Sequence, residues 1–433
     1  MPTRRYGIEE HPQREALTVE VHARPYATLQ APERASHLAM LTGGGGANDD
    51  RAHVVKLCKR FNVAAPAEEM NHFMADFGPF RLKWERHTEF STYTFFRSEA
   101  VPRDPFESPV LDAVPKDWVE EIPGKLMVAI HAAMESKDAP ERSTDELARL
   151  FGAESFAGAN VADGSAKAFM DFWINGDGFG HLLIRDAGLA PRRAGRLLQR
   201  LLEIETYRTM SLLAFPMAKE ASGKLDRIGQ GLSSIMGAMA GLEETDEEKA
   251  LLAQLTDLAA ELERTAASTN YRFGAARAYY ALVEKRIEEL RESRLEGYQQ
   301  FGEFMDRRLA PAMRTCEAVA HRMEELSQRL ARASQMLRTR VDIQLEAQNR
   351  DLLHSMDRRA KLQLRLQETV EGLSIAAVTY YGVGLVSYLA KGLKVGGLPI
   401  PVEAVQALAV PLVAIGAWLV VRRIRRIVTR EVD

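Results

Sequence analysis

Two charge-free runs near the C-terminus constrain this chain more than any other feature. The first, Gly372 to Ala390, reads "GLSIAAVTYYGVGLVSYLA" and has the length a helix needs to cross a hydrocarbon core. The second, Ala404 to Val421, reads "AVQALAVPLVAIGAWLVV", with Gln406 as its most polar residue. Between them "KGLKVGGLPIPVE" (391–403) carries the glycines and prolines of a turn, so the two runs are expected to form a transmembrane hairpin. The competing reading, two buried core helices, sits poorly with an arginine cluster directly after the second run. Arg422, Arg423, Arg425 and Arg426 are expected to anchor the tail (422–433) at the membrane surface. The connecting segment has only Lys391 and Lys394, so the positive-inside rule puts both termini in the cytoplasm. The expected location is thus the inner membrane, crossed twice.

On a helical wheel the first run is sided. Ser374, Tyr380, Tyr381, Gly384, Ser387, Tyr388 and Lys391 fall within an arc of about 140°. The opposite arc holds Ile375, Ala376, Val383, Val386, Leu389 and Ala390, interrupted only by Thr379 and Gly382, and suits lipid. Three readings of the polar arc stay open: packing against the second span and neighbouring subunits, lining a pore, or presenting interfacial tyrosines.

Upstream, 312–371 lacks proline and glycine and reads as a stalk helix; with the first span it would be about 120 Å long. Val319, Met323, Leu326, Leu330, Ala333 and Leu337 alternate steps of four and three, the seam of a coiled coil. The seam continues less regularly through Val341, Leu345, Leu352, Met356, Leu366 and Val370, a stutter. Residues 190–311 hold further helices. One opens at Pro191, buries Leu197, Leu201, Ile204 and Met210, and ends by Pro216. A second carries Leu225, Ile228, Leu232, Ile235 and Met239 on one face. Thr245 and Glu248 form a capping box for a third, expected to run through Leu255, Leu258 and Leu262 as far as Leu295.

Residues 1–185 have another texture. "LKWERHTEFSTYTFF" (Leu82 to Phe96) reads as a strand or hairpin, and "AFMDFWINGDGFGHLLIRD" as a hairpin turning on Asn175 to Gly178. "GKLMVAIHAAM" reads as a strand, Ser143 with Glu146 caps a helix, and "GGGGANDD" is a connection. The expected fold is an α+β or α/β cytoplasmic domain, then a long helical, coiled-coil stalk, then the two-helix hairpin.

Ordinary globular composition, 46% hydrophobic and 27% charged, excludes a disordered chain. A net charge of -3, with no interleaving of basic and aromatic residues, offers no case for nucleic acid. Cys58 and Cys316 are lone cysteines, as in a reducing compartment, and no secretory signal is read at the N-terminus. The four glycines lack the Lys-Ser or Lys-Thr of a phosphate loop, and the histidines do not cluster at metal-ligand spacing. No catalytic, cofactor or metal residues are expected. His11, Glu20, His22 and Arg24 are the only motive for a membrane-bound enzyme.

"HPQREALTVEVHARP" (His11 to Pro25) and "GRLLQRLLEIETYRTMSLLAFP" (Gly195 to Pro216) resemble signatures of a family of bacterial membrane-anchored proteins catalogued only as a domain of unknown function. The resemblance runs along essentially the whole chain and implies membrane anchoring, with no established activity. In order of parts the chain is also similar to CorA-type metal-ion transporters, pentamers whose first span lines the pore. Their Gly-Met-Asn motif is missing here, the nearest stretch being "YYGVGL", and Lys391 and Lys394 would oppose cations at the outer mouth. The leading expectation is a homo-oligomer in contact with membrane lipids, CorA-like in architecture, with ion conduction as its candidate activity. The alternative is a non-conducting scaffold or regulator that binds a cytoplasmic protein partner.

Overall fold

The computed structural model describes residues 11–14, 17–18, 25–43, 49–68, 70–152, 156–239, 245–395 and 401–430. The chain divides into two compact units. Met1–Gly241 with Ala253–Ala333 forms the first, and Leu242–Leu252 with Ser334–Asp433 the second.

The first unit is built on a nine-stranded sheet. Its strands are β1 (Glu33–Leu41), β2 (His72–Asp76), β3 (Arg81–Arg86), β4 (Phe90–Arg97), β5 (Lys125–Glu135), β6 (Ala157–Val161), β7 (Ala166–Met170), β8 (Gly180–Asp186) and β9 (Ser293–Arg294). Their spatial order is β2-β3-β4-β1-β5-β8-β7-β6-β9. All neighbours are antiparallel except β5 and β8, whose parallel register aligns His131 with His181. The class is therefore α+β. Of the two readings for Leu82 to Phe96 the hairpin holds, as β3–β4, and the expected second hairpin forms as β7–β8. In the second, positive φ falls at Phe172 and Gly178, and Gly178 N–H donates to Asn175 O at 2.9 Å.

β1 and β4 are buried on both faces, as strands must be when helices cover each side. On one face Leu38, Leu82, Trp84, Tyr93 and Phe95 pack with Val54, Leu57 and Cys58 of helix α1 (Asp49–Phe61) and with Trp118 of α2 (Lys116–Glu120). Further along, Ala133, Phe169 and Leu183 pack with Leu147 and Phe151 of α3 (Thr144–Phe151). That helix starts with the expected capping box, Ser143 accepting from Glu146 N–H and Glu146 reaching back to Ser143 N–H. The other face is covered by α4 (Pro191–Leu212).

Beyond α4 come α5 (Ala214–Met239), α6 (Thr245–Leu290), α7 (Phe301–Arg308), α8 (Ala310–Val395) and α9 (Val402–Arg430). Pro216 does not end a helix: the break falls at Leu213, and the proline sits in the first turn of α5, where its missing N–H has no partner to lose. The third helix stops at Leu290, short of Leu295, because Ser293 and Arg294 pair with Asn160 and Ala159 of β6. Glu248 forms an ion pair with Arg340 at 2.7 Å, and the Thr245 side chain lies outside the described residues. The coiled-coil seam resolves in two parts. Val319, Met323, Leu326, Leu330 and Ala333 are buried within the first unit, where Arg322 pairs with Asp226 of α5 at 2.8 Å and Met323 receives the Thr269 hydroxyl of α6 at 3.7 Å. Leu345, Leu352, Met356, Leu366 and Val370, in the second unit, stay exposed.

One glycine positions the segment that leads into β1. A Cβ on Gly195 would stand 1.6 Å from the carbonyl oxygen of Ala27, and Leu29 N–H donates to Pro191 O at 3.1 Å. Residues 25–29 thus lie directly on the first turns of α4. Gly195→Ala is expected to destabilise the fold by about 3 kcal/mol or more, as overpacking against backbone does. Because the clash is with a carbonyl, Ala27→Gly should not rescue it. Thermal melting of the single and double variants checks both statements.

Candidate functional site

The sided first span and its neighbour form an antiparallel pair in the second unit. Gln406 of α9 donates from Nε2 to Ser387 Oγ at 2.6 Å, while a Cβ on Gly382 would meet Val413 at 2.6 Å. Small residues let the helices approach closely, as they do where lipid supplies no drive for association. Ser387, Ala390 and, on α9, Ala409 are buried, and Ile375, Thr379, Val383 and Val386 are half-buried.

This contact cuts across the assignment expected from polarity. Of the arc expected to suit lipid, Ile375, Val383, Val386 and Ala390, with Thr379 and Gly382, lie on the side turned to α9, while Ala376 and Leu389 stay exposed. The polar arc is left uncovered, with Tyr380, Tyr381 and Tyr388 exposed by 77%, 70% and 75%. Ser374 is exposed too, its hydroxyl donating to Val370 O at 2.8 Å; only Ser387 crosses over to α9. Gly384 sits half-buried among them. An open groove of about 1160 Å³ runs beside the pair, lined by Tyr380, Tyr381, Gly384, Tyr388, Lys391 and Gln406. Tyr380 and Tyr381 pack edge to face at 5.6 Å.

Both helices are long and apolar enough to cross a membrane, α8 through its C-terminal part. Only 11% and 6% of their most apolar windows are buried, whereas core helices of a soluble fold would be mostly covered. Arg422 lies over the Trp418 ring at 4.8 Å, and Arg423 is exposed. Arg425 and Arg426 continue α9, and their side chains lie outside the described residues.

A second polar assembly, not anticipated from the sequence, fills the interface between the sheet and α4. Alternation in "RLKWER" sends Leu82 and Trp84 to the α1 face and Lys83 and Glu85 to the α4 face. There Lys83 Nζ pairs with Glu85 at 3.0 Å and donates to Gln199 Oε1 at 2.8 Å. Gln199 donates to Glu203 at 2.7 Å, Glu203 pairs with Arg286 of α6, and Arg286 reaches Glu289 at 3.0 Å. Glu89, in the β3–β4 turn, receives Arg272 at 2.6 Å and the Tyr279 hydroxyl at 3.0 Å, and Tyr279 stacks on Tyr207.

The tautomer of His37 follows from its partners. Thr206 gives its proton to Leu202 O, so its oxygen accepts from His37 Nε2 at 3.3 Å, and His37 Nδ1 accepts from Thr94 at 2.8 Å. Burial, reinforced by Lys83, pushes this imidazole down to about 3. On the opposite face His131 bonds Ser36 at 3.0 Å and stacks on Phe179; burial holds it at about 4 against the pull of Asp177. Among the described residues no group of three His, Cys, Asp or Glu could hold a metal ion. His11 is exposed and accepts from Gln13 N–H at 3.2 Å, while Glu20, His22, Arg24 and Gly44–Asn48 lie outside the described residues.

Sheet domain and uncovered hairpin together define an α+β protein ending in two helices able to cross a membrane. The chain belongs to a family described as a protein of unknown function, DUF3422, whose model matches residues 9–428. No curated protein matches it. Among solved structures, that of full-length CmaX is similar over 72% of this chain and 93% of that one, at 12% identity and a TM-score of 0.19, too slight to speak for a shared fold.

The buried histidines make acid stability testable. Both are neutral when folded, and unfolding lets them take a proton below about 6.5. Their contribution is full above that pH and is lost as pH falls toward about 4 for His131 and about 3 for His37. Across these windows the shifts correspond to about 3 kcal/mol for His131 and about 5 kcal/mol for His37. Melting midpoints between neutral pH and pH about 4 should fall less steeply in His37→Gln and His131→Gln than in wild type.

Proposed function

We propose that this protein is a two-pass inner-membrane protein, both termini and the sheet domain cytoplasmic, whose copies assemble around the first span and conduct small ions along its tyrosine face. In this reading the architecture is like that of CorA-type transporters, with several α8 helices about a common axis. One observation carries it: after α9 has covered one side of the first span, Ser374, Tyr380, Tyr381 and Tyr388 are left exposed along one arc, beside an apolar strip of Val378, Leu385 and Leu389 that suits lipid. Hydroxyls in hydrocarbon need partners, so that arc turns to water or to its counterparts in other copies. Tyr388 could serve at an interface, but Tyr380 and Tyr381 fall near mid-span, about 13 Å from either end. Interfacial anchoring therefore accounts for one ring of three. Lys391 lines the same groove and sets the conduit against divalent cations, in keeping with the missing Gly-Met-Asn motif.

A scaffold reading has its own support in Trp173 and Ile174, exposed by 67% and 75% on the β7–β8 loop and suited to hold a cytoplasmic partner. Two measurements separate the readings. Mass measurement of the protein in mild detergent is expected to give a particle of several copies, and a monomer would sink the assembly. In proteoliposomes, chloride or potassium flux above empty vesicles is expected, reduced at least about tenfold in Tyr381→Leu and Ser374→Leu, a loss of roughly 1.4 kcal/mol in conductance terms. An oligomer without flux leaves the scaffold standing.

A further inference from the structure

We propose that the first unit carries a binding site for a phosphate group in an arginine-lined cleft at the start of α4. The cleft has a volume of about 360 Å³, within the range of small-molecule sites. Three separate elements build it: the β6–β7 turn, the first three turns of α4, and the end of α6. Leu197 and Leu290 form an apolar floor, each almost fully buried. Arg193, Arg196, Arg200 and Arg291 make the walls, against only two carboxylates, Asp163 and Glu289.

Those carboxylates position the arginines without neutralising them. Asp163 receives Arg291 at 3.0 Å and Arg193 at 3.5 Å. Ala162 N–H is tied to Leu290 O at 2.8 Å, which fixes the turn against the end of α6. Glu289 receives Arg200 at 3.1 Å but is shared with Arg286 outside the cleft. Arg196 lies over the Tyr26 ring at 5.8 Å, and no carboxylate among the described residues pairs with it. The helix adds to the imbalance. α4 opens at Pro191 with no side-chain cap and no acid in its first turn, so Arg192 and Arg193 stand at the positive end of the macrodipole. An anion in the cleft would relieve this repulsion and accept forked hydrogen bonds from the guanidinium groups that line it. A dianionic phosphate, as a phosphate monoester or a diphosphate, fits the charge, the volume and the apolar floor.

The phosphate could come from a soluble compound or from a lipid headgroup. Calorimetric titration of the full-length protein in detergent separates them, with inorganic pyrophosphate and short-chain phosphatidic acid as probes and short-chain phosphatidylcholine as control. Binding of pyrophosphate supports a soluble ligand, and binding of phosphatidic acid alone supports a headgroup. Arg196→Gln and Arg291→Gln should each weaken binding about tenfold, the loss of one charge-assisted contact. Should Arg196→Gln lower the melting midpoint, Arg291→Gln carries the same test, since its side chain is 68% exposed. No binding of either phosphate probe, or affinity unchanged in the folded variants, would overturn the site.

Discussion

A helix whose apolar side chains are not covered within its own chain must find cover elsewhere, and α8 poses that problem three times along one element. Over Val319 to Ala333 its seam is filled by its own unit, with α5 and α6 in contact. Over Leu345 to Val370 nothing in the described chain covers it. From Gly372 onward one side is taken by α9 and the other is open. The backbone makes this change of surroundings possible, because an α-helix satisfies its N–H and C=O groups internally in water and in hydrocarbon alike. Side chains alone then decide which medium each stretch requires.

The first unit meets a different constraint. Lys83, Glu85 and His37 are buried on a sheet face that an ordinary core would fill with aliphatic residues. Charged groups there are tolerated because they form a chain of opposite signs and hydrogen-bond partners reaching from β3 through α4 to α6. Such a chain adds little net stability over well-packed apolar residues. Its effect is to admit one register of α4 on the sheet, since a slip of one residue would part Lys83 from Gln199 and Glu203 from Arg286. Gly195 acts in the same direction through shape: only at that position can the carbonyl of Ala27 approach the helix axis.

What could be read from sequence followed from periodicity and local chemistry. Hairpins β3–β4 and β7–β8, the Ser143–Glu146 cap and the two apolar helices each depend on residues close together in the chain. The wheel of the first span showed its sidedness correctly, but polarity cannot say which side a neighbouring helix takes. That choice was made by size, with Gly382 and Ser387 allowing the approach of Val413 and Gln406. The polar layer had a visible half, since "RLKWER" alternates charge with bulk, yet its other half lies on α4 and α6. The arginine cleft joins Asp163, Arg193 and Arg291, residues set together only by the turn of β6–β7 onto the end of α6. The run "PRRAGR" was the one local hint of it.

The segment that directly follows the first stretch of the family resemblance lies against the second. Residues 26–29 come after Pro25 and lie on the opening turns of α4, where the second stretch begins. In the second stretch Gln199, Glu203, Thr206 and Tyr207 all point to partners in the sheet or in α6, so that part of the motif is explained by packing. Arg196 is not: it lines the cleft and lies over Tyr26, the residue that follows the first stretch, with no carboxylate paired to it among the described residues. A helix that needed only to pack would carry an acid or a neutral cap at this end, where the dipole disfavours cations. Packing accounts for the later turns of α4, and the arginines of its first turns call for an anion.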